Sequence, residues 1–120
     1  MFKAIKKFIK NKLNITSLNS GIDELRNAGA KIGSNVHISP PIYFQVFEAR
    51  LREIHDWVTI APYVTFICHD SSAVSVFIEE NLRTKFGKIV IKNNVYIGAR
   101  TILMPGVEIG EYSIIGARSI

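Results

Sequence analysis

Large apolar residues recur every six positions over the last third of the chain. A small or β-branched residue stands four positions after each large residue. A glycine directly follows three of the large residues. A period of six matches neither the 3.6-residue period of a helix nor the two-residue period of a simple strand. The pattern therefore predicts a repeat whose units stack on one another. The large residues are Ile91, Ile97, Leu103, Ile109 and Ile115, and the glycines are Gly98, Gly110 and Gly116.

The same register occurs twice earlier in the chain. Three hexads would form one coil of three short parallel strands, so the blocks that begin at 32, 54 and 91 predict three coils, and 109–120 begins a fourth. The large residue is predicted to point into the coil, where full burial contributes roughly 1.5–3 kcal/mol. The glycine is predicted to allow a sharp bend at a corner. The earlier large residues are Ile32, Ile38 and Phe44, then Ile54, Ile60 and Phe66.

The repeat fails at Glu48 and Asp70, where a small inward residue is due. The first failure predicts a small extrusion before Ile54, and the second opens a long interruption over residues 71–87. A structureless loop of that length in a compact domain is usually functional or disordered. Candidate chemistry is therefore expected at the second break.

The net charge of +5 resides in an N-terminal segment. Five of the 15 basic residues lie within the first 12 positions, and the remaining ten balance the ten acidic ones. Over 1–13 the apolar spacing predicts a basic amphipathic helix, which either caps the first coil or contacts an anionic membrane surface. A second short helix is predicted between Ser20 and Gly29. The predicted organisation is a helical segment over 1–28 and a repeat domain over 29–120.

Histidines are the main candidates for chemistry. His69 precedes Asp70 at the point where the second coil gives way to the long loop. The unperturbed pKa of histidine, about 6.5, suits it to general-base catalysis. His37 and His55 lack that context, and we expect surface or corner roles for them and no metal site. The single cysteine, Cys68, is predicted to be a small buried filler, and it cannot form an internal disulfide, which suits a reducing compartment.

The segments on the two sides of the loop carry a family resemblance. VTIAPYVTFICHD before the loop and GKIVIKNNVYIGARTILMPGVEIG after it resemble the core of the hexapeptide-repeat acyltransferases. Within that family they resemble the sugar and capsular-polysaccharide O-acetyltransferases of the maltose, galactoside and xenobiotic acetyltransferase group. The resemblance implies an all-β core, a left-handed parallel β-helix with a short N-terminal helical segment and a loop extruded at about 71–87. The left hand rests on the resemblance alone.

The resemblance also implies a function. It suggests an acetyl-CoA-dependent O-acetyltransferase acting on a hydroxyl of a sugar or cell-surface glycan, working as a cytoplasmic homotrimer without a metal. His69 occupies the position of the general base. Asp70 is a candidate to orient the imidazole, but adjacent side chains in an extended segment point apart. A carboxylate from elsewhere, such as Asp56 or Glu79, is an equal candidate.

Donor binding is the last expectation from the resemblance. Ala99 and Ala117 align with positions whose backbone contacts coenzyme A, and Tyr96 aligns with an aromatic residue near the active site. Family members usually continue beyond the position of Ile120, so the repeat domain is expected to be C-terminally incomplete. Two alternatives are a non-catalytic β-helix assembly module and, less favoured, a metalloenzyme of the γ-class carbonic anhydrase type, which needs three histidines at set spacing.

Overall fold

Short parallel strands wound into coils form most of the molecule. The computed structural model describes residues 15–17, 22–77 and 81–120. The predicted helix over 1–13, and its membrane contact, lie outside the described residues. The elements are β1 (Ile15–Ser17), α1 (Ile22–Asn27), β2 (Lys31–Ile32), β3 (His37–Ile38), β4 (Tyr43–Gln45), a 3₁₀ helix (Val46–Leu51), β5 (Arg52–Ile54), β6 (Thr59–Ile60), β7 (Thr65–Phe66), β8 (His69–Asp70), α2 (Ser72–Val76), β9 (Lys85–Phe86), β10 (Ile89–Ile91), β11 (Tyr96–Ile97), β12 (Ile102–Leu103), β13 (Glu108–Ile109) and β14 (Ile114–Ile115).

Successive coils contribute strands to the same three sheets. The strand orders are β2-β5-β10-β13, β3-β6-β11-β14 and β1-β4-β7-β12. All pairs between coils are parallel and in hexad register: Ile54 lies opposite Ile32 on one side and Ile91 on the other, and Ile91 lies opposite Ile109. The predicted coils that begin at 32, 54 and 91, and the start of a fourth at 109, are therefore confirmed.

The core runs along the coil axis as stacks of equivalent residues. In the middle coils the large residues of the hexads are almost fully buried, and so are most of the small residues four positions later. Both positions therefore face the interior, and each interior row stacks on the row of the next coil. The buried set includes Ile54, Val58, Ile60, Val64, Phe66, Ile91, Val95, Ile97, Thr101 and Leu103.

The structure contradicts the expectation that the hexad glycine Gly98 provides the bend at a corner. At most corners the left-handed backbone occurs at non-glycine residues with φ between 56° and 63°, among them Asn94 and Arg100, and Gly106 has a positive φ in the stretch 104–107. Gly98 has a different role: a Cβ there would lie 2.5 Å from the backbone nitrogen of Ala117 in the next coil. The prediction that this glycine provides the bend was wrong. It permits close stacking of coils instead.

The second predicted helix is present as α1. Leu25 is its buried residue and packs into the core, and the helix ends before Gly29, whose φ of +111° favours glycine. Nearby, β1 pairs antiparallel with β4 and extends that sheet beyond the first coil. Among the described residues, no helix has the length and apolar character needed to cross a bilayer.

Both breaks in the repeat lie at one corner of the coil. The 3₁₀ helix joins β4 to β5 there in the first coil, and in the second coil the long loop joins β7 to β10. The loop has regular structure: β8 and β9 form an antiparallel stem in which His69 lies opposite Phe86, and α2 follows the first stem strand. In the third coil, the short stretch 104–107 turns the same corner. The described parts of the interruption thus begin and end in a paired stem rooted at His69.

Candidate active site

His69 and Glu48 come together at this corner from successive coils. The Nδ1 atom of His69 contacts Oε1 of Glu48, whose side chain is only 1% exposed, whereas the His69 side chain is 30% exposed. An ionised carboxylate can only accept a hydrogen bond, so Nδ1 carries the proton and donates it. Nε2 is then left with a free lone pair on the far edge of the ring, which is the state that a general base requires.

Behind Glu48 lies a fully buried arginine. Nη2 of Arg52 is 3.4 Å from Oε2 of Glu48 and also donates to the carbonyl oxygen of Phe66 at 3.3 Å, while Nη1 donates to the carbonyl oxygen of Gln45 at 3.1 Å. The guanidinium lies 3.9 Å from the ring centroid of Phe44. Buried charges persist when they are paired and hydrogen-bonded. Arg52 thus holds the Glu48 carboxylate from one side while His69 engages it from the other.

Burial shifts the pKa values of Arg52 and Cys68, which lie beside this pair. Desolvation lowers the pKa of the Arg52 guanidinium, and the neighbouring Cys68 and Glu48 side chains act in the opposite direction. Desolvation also raises the pKa of the Cys68 thiol to about 11. Cys68 is fully buried and protonated at neutral pH, so it is unsuited to act as a nucleophile. Its geometry matches the buried filler predicted from the sequence.

The carboxylates considered from the sequence lie elsewhere. Asp70 accepts a hydrogen bond from the backbone N–H of Ser72 at 2.8 Å, and hydrogen bonds from the Ser72 side chain and backbone lower the pKa of Asp70. Asp56 accepts from the backbone N–H of Ser34 at a different corner, and Glu79 lies outside the described residues. The sequence reasoning missed Glu48 as the partner, although it noted that a carboxylate broke the hexad pattern there. A charge at an inward position was the signal that pointed to it.

The predicted donor-binding residues lie away from His69 within one chain. Ala99 and Ala117 occupy equivalent positions at the corner between the sheet of β11 and β14 and the sheet of β12, where the carbonyl of Ala99 accepts from the backbone N–H of Arg118 at 2.9 Å. Tyr96 is exposed on the outer face of β11, in register with Thr59 and Ile114. Ala99 and Ala117 turn a different corner from His69, and Tyr96 lies on a strand, so their role in donor binding stays a prediction.

The other two histidines have local partners. Nε2 of His55 is 3.1 Å from Oε1 of Glu53, and Nε2 of His37 is 3.3 Å from Oγ of Ser39. His37 lies in β3 and His55 directly follows β5, and their side chains contact Ser39 and Glu53 rather than His69. Within residues 22–77 and 81–120, no group of three histidine, cysteine or acidic side chains is arranged to hold a metal ion.

Two phenylalanine rings flank the imidazole of His69. The ring centroids of Phe47 and Phe86 each lie 6.2 Å from that of His69, with interplanar angles of 41° and 44°. Phe47 belongs to the 3₁₀ helix and Phe86 to the returning strand of the hairpin, so both breaks in the repeat contribute to the surroundings of the histidine.

The sequence of this chain is similar to those of known transferases. Residues 88–120 match the family described as bacterial transferase hexapeptide (six repeats). The chain is 34% identical over 109 residues to a galactoside O-acetyltransferase of Escherichia coli K12, covering 76% of this chain and 53% of that protein. It is 35% identical over 66 residues to a chloramphenicol acetyltransferase of Morganella morganii, covering 55% of this chain and 30% of that protein. The chain thus spans about half or less of the length of these two relatives.

A solved structure shares the fold. A hexapeptide-repeat-containing acetyltransferase from Vibrio cholerae superposes with a TM-score of 0.55 at 17% identity, covering 96% of this chain and 76% of that one. The core is therefore the left-handed parallel β-helix expected from the sequence, with its short helical segment and extruded hairpin. The resemblance to the hexapeptide-repeat acyltransferases is confirmed in both sequence and fold.

Proposed function

We propose that this protein is an acetyl-CoA-dependent O-acetyltransferase that acts on a hydroxyl of a sugar or cell-surface glycan. The observation that carries the proposal is the pairing of His69 with the buried Glu48, which leaves Nε2 of a partly exposed imidazole free. The acetyltransferase names of the relatives support the reaction class, and the galactoside enzyme among them supports a sugar acceptor.

The proposed reaction uses His69 as base and then as acid. The acceptor hydroxyl donates its proton to Nε2 as its oxygen attacks the thioester carbonyl carbon of acetyl-CoA. The C–S bond then breaks, and the proton passes from Nε2 to the departing thiolate, so that coenzyme A leaves as a thiol. Glu48 is a positioning residue: its negative charge fixes the Nδ1–H tautomer and stabilises the imidazolium formed in between.

The donor would lie at a second corner of the coil, beside Ala99 and Ala117. Because His69 turns a different corner within one chain, a homotrimer would bring the His69 corner of one subunit against the Ala99 corner of the next. In that arrangement each site is shared between two subunits. A chain that stayed monomeric at assay concentration and was fully active would contradict this part of the proposal.

The test is the release of free thiol from acetyl-CoA in the presence of neutral sugar and glycoside acceptors. Replacing His69→Ala should lower kcat by about 10²–10⁴-fold, the contribution expected of a general base. His55→Ala is the matched control, because His55 is similarly exposed and also contacts a glutamate. Full turnover by His69→Ala would refute the role of His69. Failure of the wild-type protein to bind coenzyme A in calorimetry would favour the non-catalytic assembly module.

A further inference from the structure

The exposed phenylalanines beside His69 stand out because large apolar side chains rarely cluster on a surface without a use. Phe47 is 48% exposed and Phe86 is 58% exposed, yet each ring lies against the same imidazole. They come from separate segments of the chain, one in each break of the repeat. The two breaks in the repeat thus place two aromatic rings beside the His69 side chain.

The direction of approach to His69 is restricted by its partner. Nδ1 faces the buried Glu48 carboxylate, so an acceptor hydroxyl must reach Nε2 from the exposed edge of the ring. The carbon that carries this hydroxyl is covalently attached to the oxygen that is hydrogen-bonded to Nε2, so it also lies close to the imidazole. With both phenyl rings centred 6.2 Å from the imidazole, the carbon skeleton next to the reacting hydroxyl comes within reach of Phe47 and Phe86.

We propose that Phe47 and Phe86 form the walls of the acceptor subsite and select an uncharged ring-shaped alcohol with an apolar face beside the reacting hydroxyl. This inference rests on the proposed function and adds the acceptor class to it. The C–H face of a pyranose or an aryl group packs on the phenyl rings and excludes water from them. A phosphate or carboxylate at the same place loses hydration without gaining a partner from either ring.

The experiment compares three acceptors: a phenyl glycoside, the methyl glycoside of the same sugar, and the corresponding sugar phosphate. The wild-type protein should favour the phenyl glycoside and use the phosphate least. Phe47→Ser and Phe86→Ser should each raise the acceptor KM about three- to tenfold, the range for loss of one aromatic contact, and leave the KM for acetyl-CoA unchanged. The rise should be larger for the phenyl than for the methyl glycoside.

The controls separate contact from folding. Phe77→Ser removes another exposed phenylalanine of the same loop, outside the pair that flanks His69, and should leave all three KM values unchanged. Phe47→Tyr and Phe86→Tyr keep an aromatic ring and should restore the acceptor KM to within about twofold. Thermal unfolding of each variant shows whether it is folded. If a serine variant is not, Phe47→Leu and Phe86→Leu, which remove the aromatic ring but keep an apolar side chain, carry the test and should also raise the acceptor KM.

The outcomes distinguish this inference from the proposed function. If the wild-type protein releases no thiol with any acceptor, the proposed function fails and this inference with it. If it turns over but the serine variants keep the wild-type acceptor KM, or instead raise the KM for acetyl-CoA, the function stands and the acceptor-wall assignment is wrong. Equal use of the sugar phosphate and the neutral glycosides would also overturn the proposed class.

Discussion

Glu48→Gln changes the buried carboxylate into an amide of almost the same shape. Its carbonyl oxygen can replace Oε2 opposite Arg52, which offers only donors. The amide NH₂ must then face His69, where the carboxylate oxygen had accepted a hydrogen bond. An NH₂ group is satisfied by an unprotonated Nδ1, so the proton moves to Nε2. The variant therefore holds the imidazole in the tautomer that cannot accept the proton of a hydroxyl.

The magnitude follows from this tautomer and from the burial of Glu48. The equivalent change of aspartate to asparagine in serine proteases lowers kcat by about 10⁴-fold, and general-base catalysis as a whole contributes about 10²–10⁴-fold. We expect kcat to fall by about 10²–10⁴-fold while both KM values stay within about threefold. Unfolding free energy should fall by about 1–3 kcal/mol, because Arg52 stays fully buried and hydrogen-bonded but loses its counter-charge.

The assay is thiol release from acetyl-CoA per mole of folded protein, together with thermal unfolding. The wrong tautomer affects only the transfer of the hydroxyl proton, so kcat should fall while the KM values for acetyl-CoA and for the acceptor stay nearly unchanged. A purely structural role for Glu48 would lower the folded fraction without lowering kcat per folded molecule.

A matched control is available at the other glutamate–histidine contact. Glu53 accepts from His55 and from Lys88 on the outer face, and these hydrogen bonds, that from Lys88 first, lower the pKa of Glu53. Glu53→Gln should leave kcat unchanged. A Glu48→Gln variant that retained kcat per folded molecule within threefold would refute the tautomer argument, whatever its stability.

The remaining predictions concern the packing of the coils. Cys68 should not react with an aromatic disulfide reagent at pH 8 in the native protein and should react fully in denaturant, because burial raises its pKa to about 11; fast native labelling would contradict this burial. Gly98→Ala should lower the unfolding free energy by about 1–3 kcal/mol in thermal or urea unfolding, because the added Cβ would lie 2.5 Å from a backbone atom of Ala117. Gly110→Ala, with no atom nearer than 3.9 Å, should be close to neutral, and equal losses at both sites would show that coil spacing is not limiting.

The hexad pattern determined the coils because a six-residue unit leaves only one arrangement that buries its large residues. Ile54, Ile91 and Ile109 therefore stack in the register that their spacing predicts. The same pattern marked its own interruptions, and so pointed to His69 at the root of the loop. The corner conformation was less accessible to sequence reasoning: the glycine at 98 suggested a bend, whereas its reason is an approach between coils that no single hexad contains.

The sequence by itself determined the repeat, the number of coils and the candidate base, because these depend on periodicity and on the position of one histidine relative to a break. Only the tertiary structure decided the partner of that base. Glu48 is 21 residues away along the chain and reaches His69 because one turn of the coil returns the chain to the same corner. The same stacking brings Phe47 and Phe86 beside the imidazole and buries Arg52 behind Glu48. Contacts of this kind depend on which residues share a corner, and that is fixed by how the coils stack rather than by spacing within any one of them.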